Sequence, residues 1–175
     1  RATVGEFRAA AAKFAHQLIA DGVKKGDRVA VIMRNVPEWP VAFWGAVLAG
    51  AIVTPLNAWW TGPELEYGLK NSGTSIAVMD IERYERVREH LEKCPDIRKV
   101  YVSRAREDIA DPRVERMESI VGTTAEWGAL AAMEPPEVDL APAHGRFRGA
   151  VHRVARSPRG ARVRASRRLD DRAAS

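Results

Sequence analysis

The sequence is short of several residue types that would define a site or a membrane span. Its 175 residues contain one cysteine, Cys94, which excludes an internal disulfide, and four histidines, no two of which have metal-ligand spacing. No apolar run reaches the roughly 18–20 residues that span a bilayer, and no secretory signal opens the chain. We therefore expect a cytoplasmic protein with a free thiol and no metal site. Because Arg1 rather than Met comes first, we expect the natural start to lie upstream.

Positive charge is concentrated at the C-terminal end of the chain. The formal net charge is +5, but residues 143–175 alone carry +8, with ten arginines, two aspartates and no lysine. Residues 1–142 therefore carry −3. We divide the chain into an α/β segment at residues 1–133, a proline-rich linker at 134–142 and an arginine-rich tail at 143–175. The tail is expected to be disordered or translated out of frame.

Short apolar runs alternate with amphipathic segments along the first 133 residues. Thr3 with Glu6, and Thr61 with Glu64, have the spacing of a capping box, so a helix should begin after each threonine. A strand buried on both faces is predicted at residues 29–33, and further strands are predicted at residues 52–54, 76–79 and 100–102. Strands separated by helices favour parallel pairing. We therefore predict an α/β fold with a mostly parallel sheet and flanking helices.

The remaining segments give less regular predictions. Residues 41–48 are apolar on nearly every side, so this helix should be buried or covered by another part of the protein. Residues 82–93 predict one helix. Its outer face should carry two i,i+4 ion pairs, Glu82/Arg86 and Glu89/Lys93. Residues 104–118 are charged and weakly periodic, which indicates a surface excursion, and a short helix is expected at residues 124–132.

Several polar side chains admit both a functional and a structural interpretation. Asp27 and Asp80 sit at strand ends, where α/β proteins often place functional acids, but turn and capping roles explain them as well and are preferred. His16 and His90 lack a ligand partner at suitable spacing and are expected to face solvent. Asn57 is expected to be a turn residue, and Thr61 is expected to be a helix cap.

Four tryptophans form an unusual aromatic set, and two interpretations remain open. They could line the wall of an acyl pocket, or they could be a packed core plus a bare surface, which is the preferred interpretation. The four residues are Trp39, Trp44, Trp59 and Trp60.

The most specific pattern lies between residues 22 and 65. It consists of GVKKGDRV from Gly22, NVPEW from Asn35, GAIVTPLN from Gly50 and the pair Glu64-Leu65. In this order and spacing, residues 1–142 resemble the N-terminal part of an acyl-CoA synthetase, an acid–CoA ligase of the AMP-dependent, adenylate-forming superfamily.

This resemblance implies an activity for the intact family enzyme. Family members use ATP, Mg²⁺ and coenzyme A, activate a carboxylic acid to an acyl-adenylate with release of pyrophosphate, and transfer the acyl group to the CoA thiol. A fatty or similarly apolar acid is expected. No catalytic, cofactor-binding or metal-binding residue of the family maps onto residues 1–142, so no site residue is assigned.

The sequence lacks the phosphate-loop motif of that family at the place where it should occur, soon after Pro135 and Pro136. Residues 157–161 read SPRGA, with Arg159 in the place of the loop lysine, and bulky or charged side chains fill residues 151–156. Close approach of backbone to phosphate requires small residues, above all glycine. We therefore expect a reading-frame change near residue 143, no bound cofactor, and no acid activation by this polypeptide alone.

A non-enzymatic alternative stays open at this point. A small α/β module could bind nucleic acid or anionic surfaces through its basic tail by phosphate contacts. Phe147 is the one aromatic residue of that tail, so base stacking and specific nucleic-acid recognition are not expected. The oligomeric state is not predictable from the sequence.

Overall fold

Five strands form one parallel sheet in the computed structural model, which describes residues 2–130 and 133–138. The strands are β1 Arg28–Ile32, β2 Ile52–Pro55, β3 Ile76–Asp80, β4 Lys99–Ser103 and β5 Val114–Arg116. Their order across the sheet is β2-β1-β3-β4-β5, and every pair is parallel. The predicted α/β fold with a mostly parallel sheet and flanking helices is confirmed. The arginine-rich tail predicted at residues 143–175 lies outside the described residues.

Helices precede and connect the strands. They are α1 Val4–Ala20, α2 Glu38–Leu48, α3 Gly62–Ser72, α4 Ile81–Val87 and α5 Met117–Val121, with 3-10 helices at Arg88–Lys93 and Trp127–Ala129. Both predicted capping boxes form. The N–H of Glu6 donates to Thr3 Oγ1 at 3.3 Å, and the N–H of Thr61 donates to Glu64 Oε2 at 2.8 Å.

The sheet has an apolar core on each face. On one face, Phe14 of α1 packs with Tyr101 of β4 and with Trp127, and all three are essentially inaccessible to solvent. On the other face, Leu65 of α3 and Leu91 of the first 3-10 helix belong to a second buried cluster. β1 and β3 contribute to both clusters, which is why their sequences are almost continuously apolar.

The free edge of β2 is protected against strand addition by its own sequence. The N–H groups of Ile52 and Leu56 donate to the carbonyl oxygens of Asp27 and Val31, so the N–H groups of the alternate residues point away from the sheet. One of these outward positions is Pro55, which has no N–H to donate. A single outward donor, at Val53, is left for a further strand, and this discourages edge-to-edge association.

The predicted surface excursion is confirmed for residues 104–113, which form neither helix nor strand and are mostly exposed, but it is wrong for residues 114–118. Residues 114–116 form β5, and Met117 at the start of α5 is fully buried. β5 has three residues and lies at the sheet edge, so its charged side chains reach solvent and hide the strand pattern. One of them, Glu115, pairs with Lys99 of β4 at 2.6 Å.

The single helix predicted at residues 82–93 is also corrected. α4 has seven residues and continues as a 3-10 helix, in which residues four apart no longer lie above one another. Among the described residues, neither predicted i,i+4 pair forms. Lys93, in the 3-10 helix, contacts Glu66. Glu82 and Arg86 both lie in α4, but Glu82 contacts Arg34 and Arg86 donates to the carbonyl oxygen of Ala58. The helix expected at residues 124–132 is reduced to the 3-10 helix around Trp127, and residues 131–132 lie outside the described residues.

Residues 133–138 form neither helix nor strand, and Glu134 among them contacts α1. The Glu134 carboxylate is 2.9 Å from Arg8 Nη2, and the Glu134 carbonyl oxygen is 3.0 Å from His16 Nε2. Residues 139–142 of the linker predicted at residues 134–142 lie outside the described residues, so the proposed domain boundaries stay predictions.

The apolar helix predicted at residues 41–48 is α2, and it is covered on one side. Its inner face packs on α1 through Gly45, where an added Cβ would lie 2.7 Å from Phe14 Cδ1. Its outer face carries Trp44, which is 49% exposed. Across residues 2–130 and 133–138, no helix combines the length and hydrophobicity that a membrane span requires.

Candidate functional site

A crevice lies at the carboxyl ends of β1 and β3, where the chain changes direction across the sheet. From β1 the chain passes outward to β2, then returns beyond β1 to form β3 on its other side. The connections that follow β1 and β3 therefore lead to opposite sides of the sheet, and a gap opens between them. Parallel α/β sheets bind ligands at such switch points.

The crevice has a volume of about 510 Å³ and is lined by four segments. They are residues 33–36 after β1, residues 57–59 after β2, residues 80–83 at the end of β3, and Arg104 after β4. Three arginines and two carboxylates are among the lining residues. The excess of guanidinium groups and the indole of Trp59 favour a ligand that is anionic and has a flat, partly apolar portion.

Asp80 is the central acceptor of the crevice. Its Oδ1 accepts the N–H of Arg83 at 3.1 Å, which caps α4, and Oδ2 accepts the N–H of Arg34 at 3.2 Å, which joins the ends of β3 and β1. Arg83 Nη1 lies 3.2 Å from both carboxylate oxygens. The Asp80 and Arg83 side chains are 6% and 1% exposed, so this is a buried ion pair.

Arg83 has donor capacity that the protein does not use. Its Nε donates to the carbonyl oxygen of Ala58 at 2.9 Å, and Nη1 also contacts Glu82 Oε2 at 2.8 Å. Its Nη2 is buried without a hydrogen-bond partner. The exposed indole of Trp59 lies beside the Arg83 guanidinium. Its ring centroid is 5.7 Å from Arg83 Cζ and 5.5 Å from Arg34 Cζ. A buried guanidinium N–H without a partner is costly, and a ligand oxygen could satisfy it.

Arg104 is held in an unusual backbone conformation at the crevice. Its φ is 63°, the left-handed region that non-glycine residues rarely adopt. Its N–H donates to Glu118 Oε1 at 2.6 Å, and Nε and Nη2 both lie 3.1 Å from Glu38 Oε2. Two carboxylates from α2 and α5 therefore fix both the backbone and the side chain of this residue. Such strain is often found where a side chain is held for a function.

Asp27 and Asp80, the two aspartates considered in the sequence analysis, have the turn and capping roles that were preferred there. Asp27 Oδ2 accepts the N–H of Lys24 at 3.0 Å in the turn before β1. Asp80 caps α4, as described above. The turn and cap interpretation is therefore confirmed for both, and Asp80 in addition lies at the centre of the crevice.

The histidine predictions have different outcomes. His16 is exposed, as expected. The expectation for His90 is wrong, because its side chain is 22% exposed and Nδ1 lies 2.7 Å from Glu66 Oε2. Lys70 Nζ lies 2.7 Å from the other oxygen of Glu66. Hydrogen bonds from Lys70 and then His90 lower the pKa of Glu66 to about 2.

Two further titratable groups are buried away from the crevice. Cys94 is a free thiol in the second core cluster, and burial raises its pKa. Burial and a hydrogen bond to the Asp21 carboxylate raise the pKa of Tyr101, which joins β4 to the end of α1. Both groups are therefore neutral near pH 7.

The tryptophans divide between the cores and the surface. Trp39 packs against the first core cluster and Trp60 against the second, whereas Trp44 and Trp59 are exposed. Asn57 Oδ1 accepts the N–H of Trp59 at 2.9 Å, so its predicted turn role is confirmed. Trp59 lies in the crevice, and no contact tests the acyl-pocket interpretation.

The sequence interpretation missed the three crevice arginines. Arg34 stands two residues after the end of β1. Arg83 stands three residues after Asp80, which is the spacing of a helix cap followed by a basic residue in the first turn. These positions could have been identified, because residues just beyond parallel strands share one sheet edge. Arg104 could not, since its place depends on Glu38 and Glu118 from distant segments.

Comparison with known sequences places these observations in a family. Residues 1–143 match the family described as AMP-binding enzyme. The chain is 36% identical over 141 residues to the medium/long-chain-fatty-acid–CoA/3-oxocholest-4-en-26-oate–CoA ligase of Mycolicibacterium smegmatis, covering 80% of this chain and 24% of that protein. It is 37% identical over 78 residues to the long-chain-fatty-acid–CoA ligase FadD13 of Mycobacterium tuberculosis, covering 45% and 16%. The chain thus spans a quarter or less of the curated relatives it matches.

Solved structures show the same fold. The coronafacic acid ligase of Pectobacterium brasiliense superposes with a TM-score of 0.62 at 20% identity, over 67% of this chain and 23% of that one. A benzoate CoA ligase of Burkholderia xenovorans superposes with a TM-score of 0.58 at 25% identity, over 68% and 22%.

Proposed function

The chain belongs to the AMP-binding enzyme family, and we propose from this membership that it is the N-terminal part of an ATP-dependent acid–CoA ligase. The proposed activity of the intact enzyme is activation of a medium- or long-chain fatty acid to its acyl-adenylate and then to its CoA thioester. The 36% identity over 141 residues to a fatty-acid–CoA ligase supports this substrate class. The cofactors would be ATP, Mg²⁺ and coenzyme A.

The crevice is the feature of this chain that supports a direct role in substrate binding. We assign to it a phosphate-bearing portion of one of the nucleotide substrates. Arg34 and Arg104 would contact phosphate oxygens, and the unused Nη2 of Arg83 would gain an acceptor. The exposed indole of Trp59 offers a flat surface for a base. The observation that carries this assignment is the buried guanidinium donor without a partner.

Coenzyme A fits the described residues better than ATP does. A triphosphate in this family requires a glycine-lined backbone loop, and no glycine is among the crevice-lining residues. The phosphates of coenzyme A need cationic side chains instead, which the crevice supplies.

This polypeptide on its own is proposed to lack acid activation. The carboxylate attack on the α-phosphorus builds negative charge that fixed donors and cations must stabilise. The described residues offer arginines at one crevice but no loop for the triphosphate. The part of the sequence where that loop would fall lies outside the described residues, and its composition lacks the Ser/Thr/Gly run.

Calorimetric titration of the full chain with coenzyme A, ATP and inorganic pyrophosphate tests the assignment. We expect coenzyme A to bind and the Arg34→Ala variant to bind it about tenfold more weakly, which corresponds to about 1.4 kcal/mol. Arg88→Ala is the matched control, because Arg88 is similarly exposed and lies outside the crevice. Tighter binding of ATP, or equal losses in both variants, would overturn the assignment of coenzyme A to the crevice.

A salt titration of binding to nucleic acid or anionic surfaces tests the role of the arginine-rich tail. The tail lies outside the described residues, so phosphate-driven binding to nucleic acid or anionic surfaces stays a prediction. Weak binding that disappears at physiological ionic strength is expected for an arginine-rich segment without aromatic partners.

A further inference from the structure

The two walls of the crevice are joined by three contacts in a row. One wall is the loop of residues 57–59, which leads into α3, and the other is residues 80–83, which lead into α4. Residues 58, 62 and 66 on the first side face residues 83, 86 and 90 on the second. The contacts extend from the crevice along the first part of α3 on one side, and along α4 into the 3-10 helix on the other.

The first two contacts involve backbone atoms. The carbonyl oxygen of Ala58 accepts from Arg83 Nε at 2.9 Å and from Arg86 Nη1 at 3.2 Å. Gly62 then packs directly on α4. An added Cβ at Gly62 would overlap the carbonyl oxygen of Arg86 and would lie 2.6 Å from His90 Nε2.

The third contact is made by side chains alone. His90 Nδ1 lies 2.7 Å from Glu66 Oε2, and the two side chains are 22% and 17% exposed. Lys70 of α3 and Lys93 of the 3-10 helix hold the same carboxylate, at 2.7 Å and 3.7 Å. The Glu66 carboxylate is thus fixed by three groups, of which His90 and Lys93 come from the opposite element.

We propose that Glu66 and His90 form a latch that sets the spacing between the two walls of the crevice. Both are positioning residues, since neither is among the crevice-lining residues. Breaking the latch frees α3 to move away from the 3-10 helix, and the loop that carries Trp59 moves with the start of α3. The identity of the crevice ligand rests on the proposed function, but the latch itself does not.

Hydrogen exchange of the full chain tests the latch without any ligand. The amides of Trp59 and Trp60 donate to Asn57 Oδ1 and to its carbonyl oxygen, so they report on the wall. We expect Glu66→Ala and His90→Ala each to accelerate their exchange about fivefold, and the double variant to add little, because the two residues act as a unit. His90→Gln retains a donor and should restore part of the protection.

Arg88→Ala is the matched control, because Arg88 pairs with Glu85 at 3.3 Å on an exposed surface and should leave exchange at the wall unchanged. Unchanged exchange in the latch variants, or additive effects in the double variant, would overturn the proposal. Titration with coenzyme A is the second readout: its affinity should fall about fivefold in the latch variants. If the unmodified chain binds no coenzyme A, the proposed function fails, whereas the exchange result still decides the latch.

Discussion

Replacement of Asp80 by alanine is the sharpest test of how the crevice is built. The Asp80 carboxylate accepts from the backbone of Arg34, from the backbone of Arg83 and from the Arg83 guanidinium. Asp80→Ala leaves that guanidinium, which is 1% exposed, without its buried counter-ion. Removing one partner of a buried ion pair costs about 3–5 kcal/mol, and about 1 kcal/mol of this is loss of the helix cap.

The contact from Glu82 remains after this change, so the lower end of the range applies. A loss of about 3 kcal/mol corresponds to a fall in Tm of about 10 °C for a domain of this size. Urea unfolding followed by circular dichroism measures the free energy directly.

A second variant separates the charge effect from simple loss of packing. Asp80→Ala combined with Arg83→Met removes both charges, and we expect at least half of the lost stability to return. The control is Asp108→Ala, because the Asp108 side chain is 96% exposed and its loss should change stability by less than about 0.5 kcal/mol. Two results would refute the argument that Asp80→Ala leaves the buried Arg83 charge without compensation. One is a loss of unfolding free energy below about 1 kcal/mol for Asp80→Ala, and the other is no recovery of stability in the double variant.

Three further predictions concern the rest of the fold. Gly45→Ala should lower the free energy of unfolding by about 1–3 kcal/mol despite better helix propensity, because its Cβ would lie 2.7 Å from Phe14 Cδ1; a gain in urea resistance contradicts this. The pKa of Glu66 is lowered to about 2, first by the hydrogen bond from Lys70, so its stabilising contribution is present above its ordinary pKa of 4.5 and is lost as the pH falls towards 2. Glu66→Gln should therefore flatten the acid side of the pH–stability profile, and an unchanged profile would count against the shift. Trp44→Lys should reduce self-association in sedimentation experiments, because Trp44 is 49% exposed on an apolar helix face; equal association in both proteins would show that this face is not responsible.

The elements of this fold that depend on local sequence could be predicted, and those that depend on distant partners could not. Capping boxes at Thr3 and Thr61 act within four residues and were predicted with their correct helix starts. β1 was predicted because a strand buried on both faces is continuously apolar. β5 was missed because an edge strand of three residues carries charges without penalty, and only pairing with β4 makes it a strand.

The candidate site follows the same division. Asp80 was recognised as a cap from its position after a strand, but its burial with Arg83 depends on Ala58 and Trp59, which the β2–α3 loop brings from more than twenty residues away. His90 was expected to face solvent because its neighbours in sequence are charged. Its partner Glu66 comes from α3, which no local pattern around His90 reveals.

Pyrophosphate release by the full chain, with ATP, Mg²⁺ and a panel of medium- and long-chain fatty acids, tests the central claim most directly. The account predicts no acid-dependent release above the buffer background, because the described residues provide cationic side chains at the crevice but no backbone loop for a triphosphate. Acid-dependent turnover above background would contradict it.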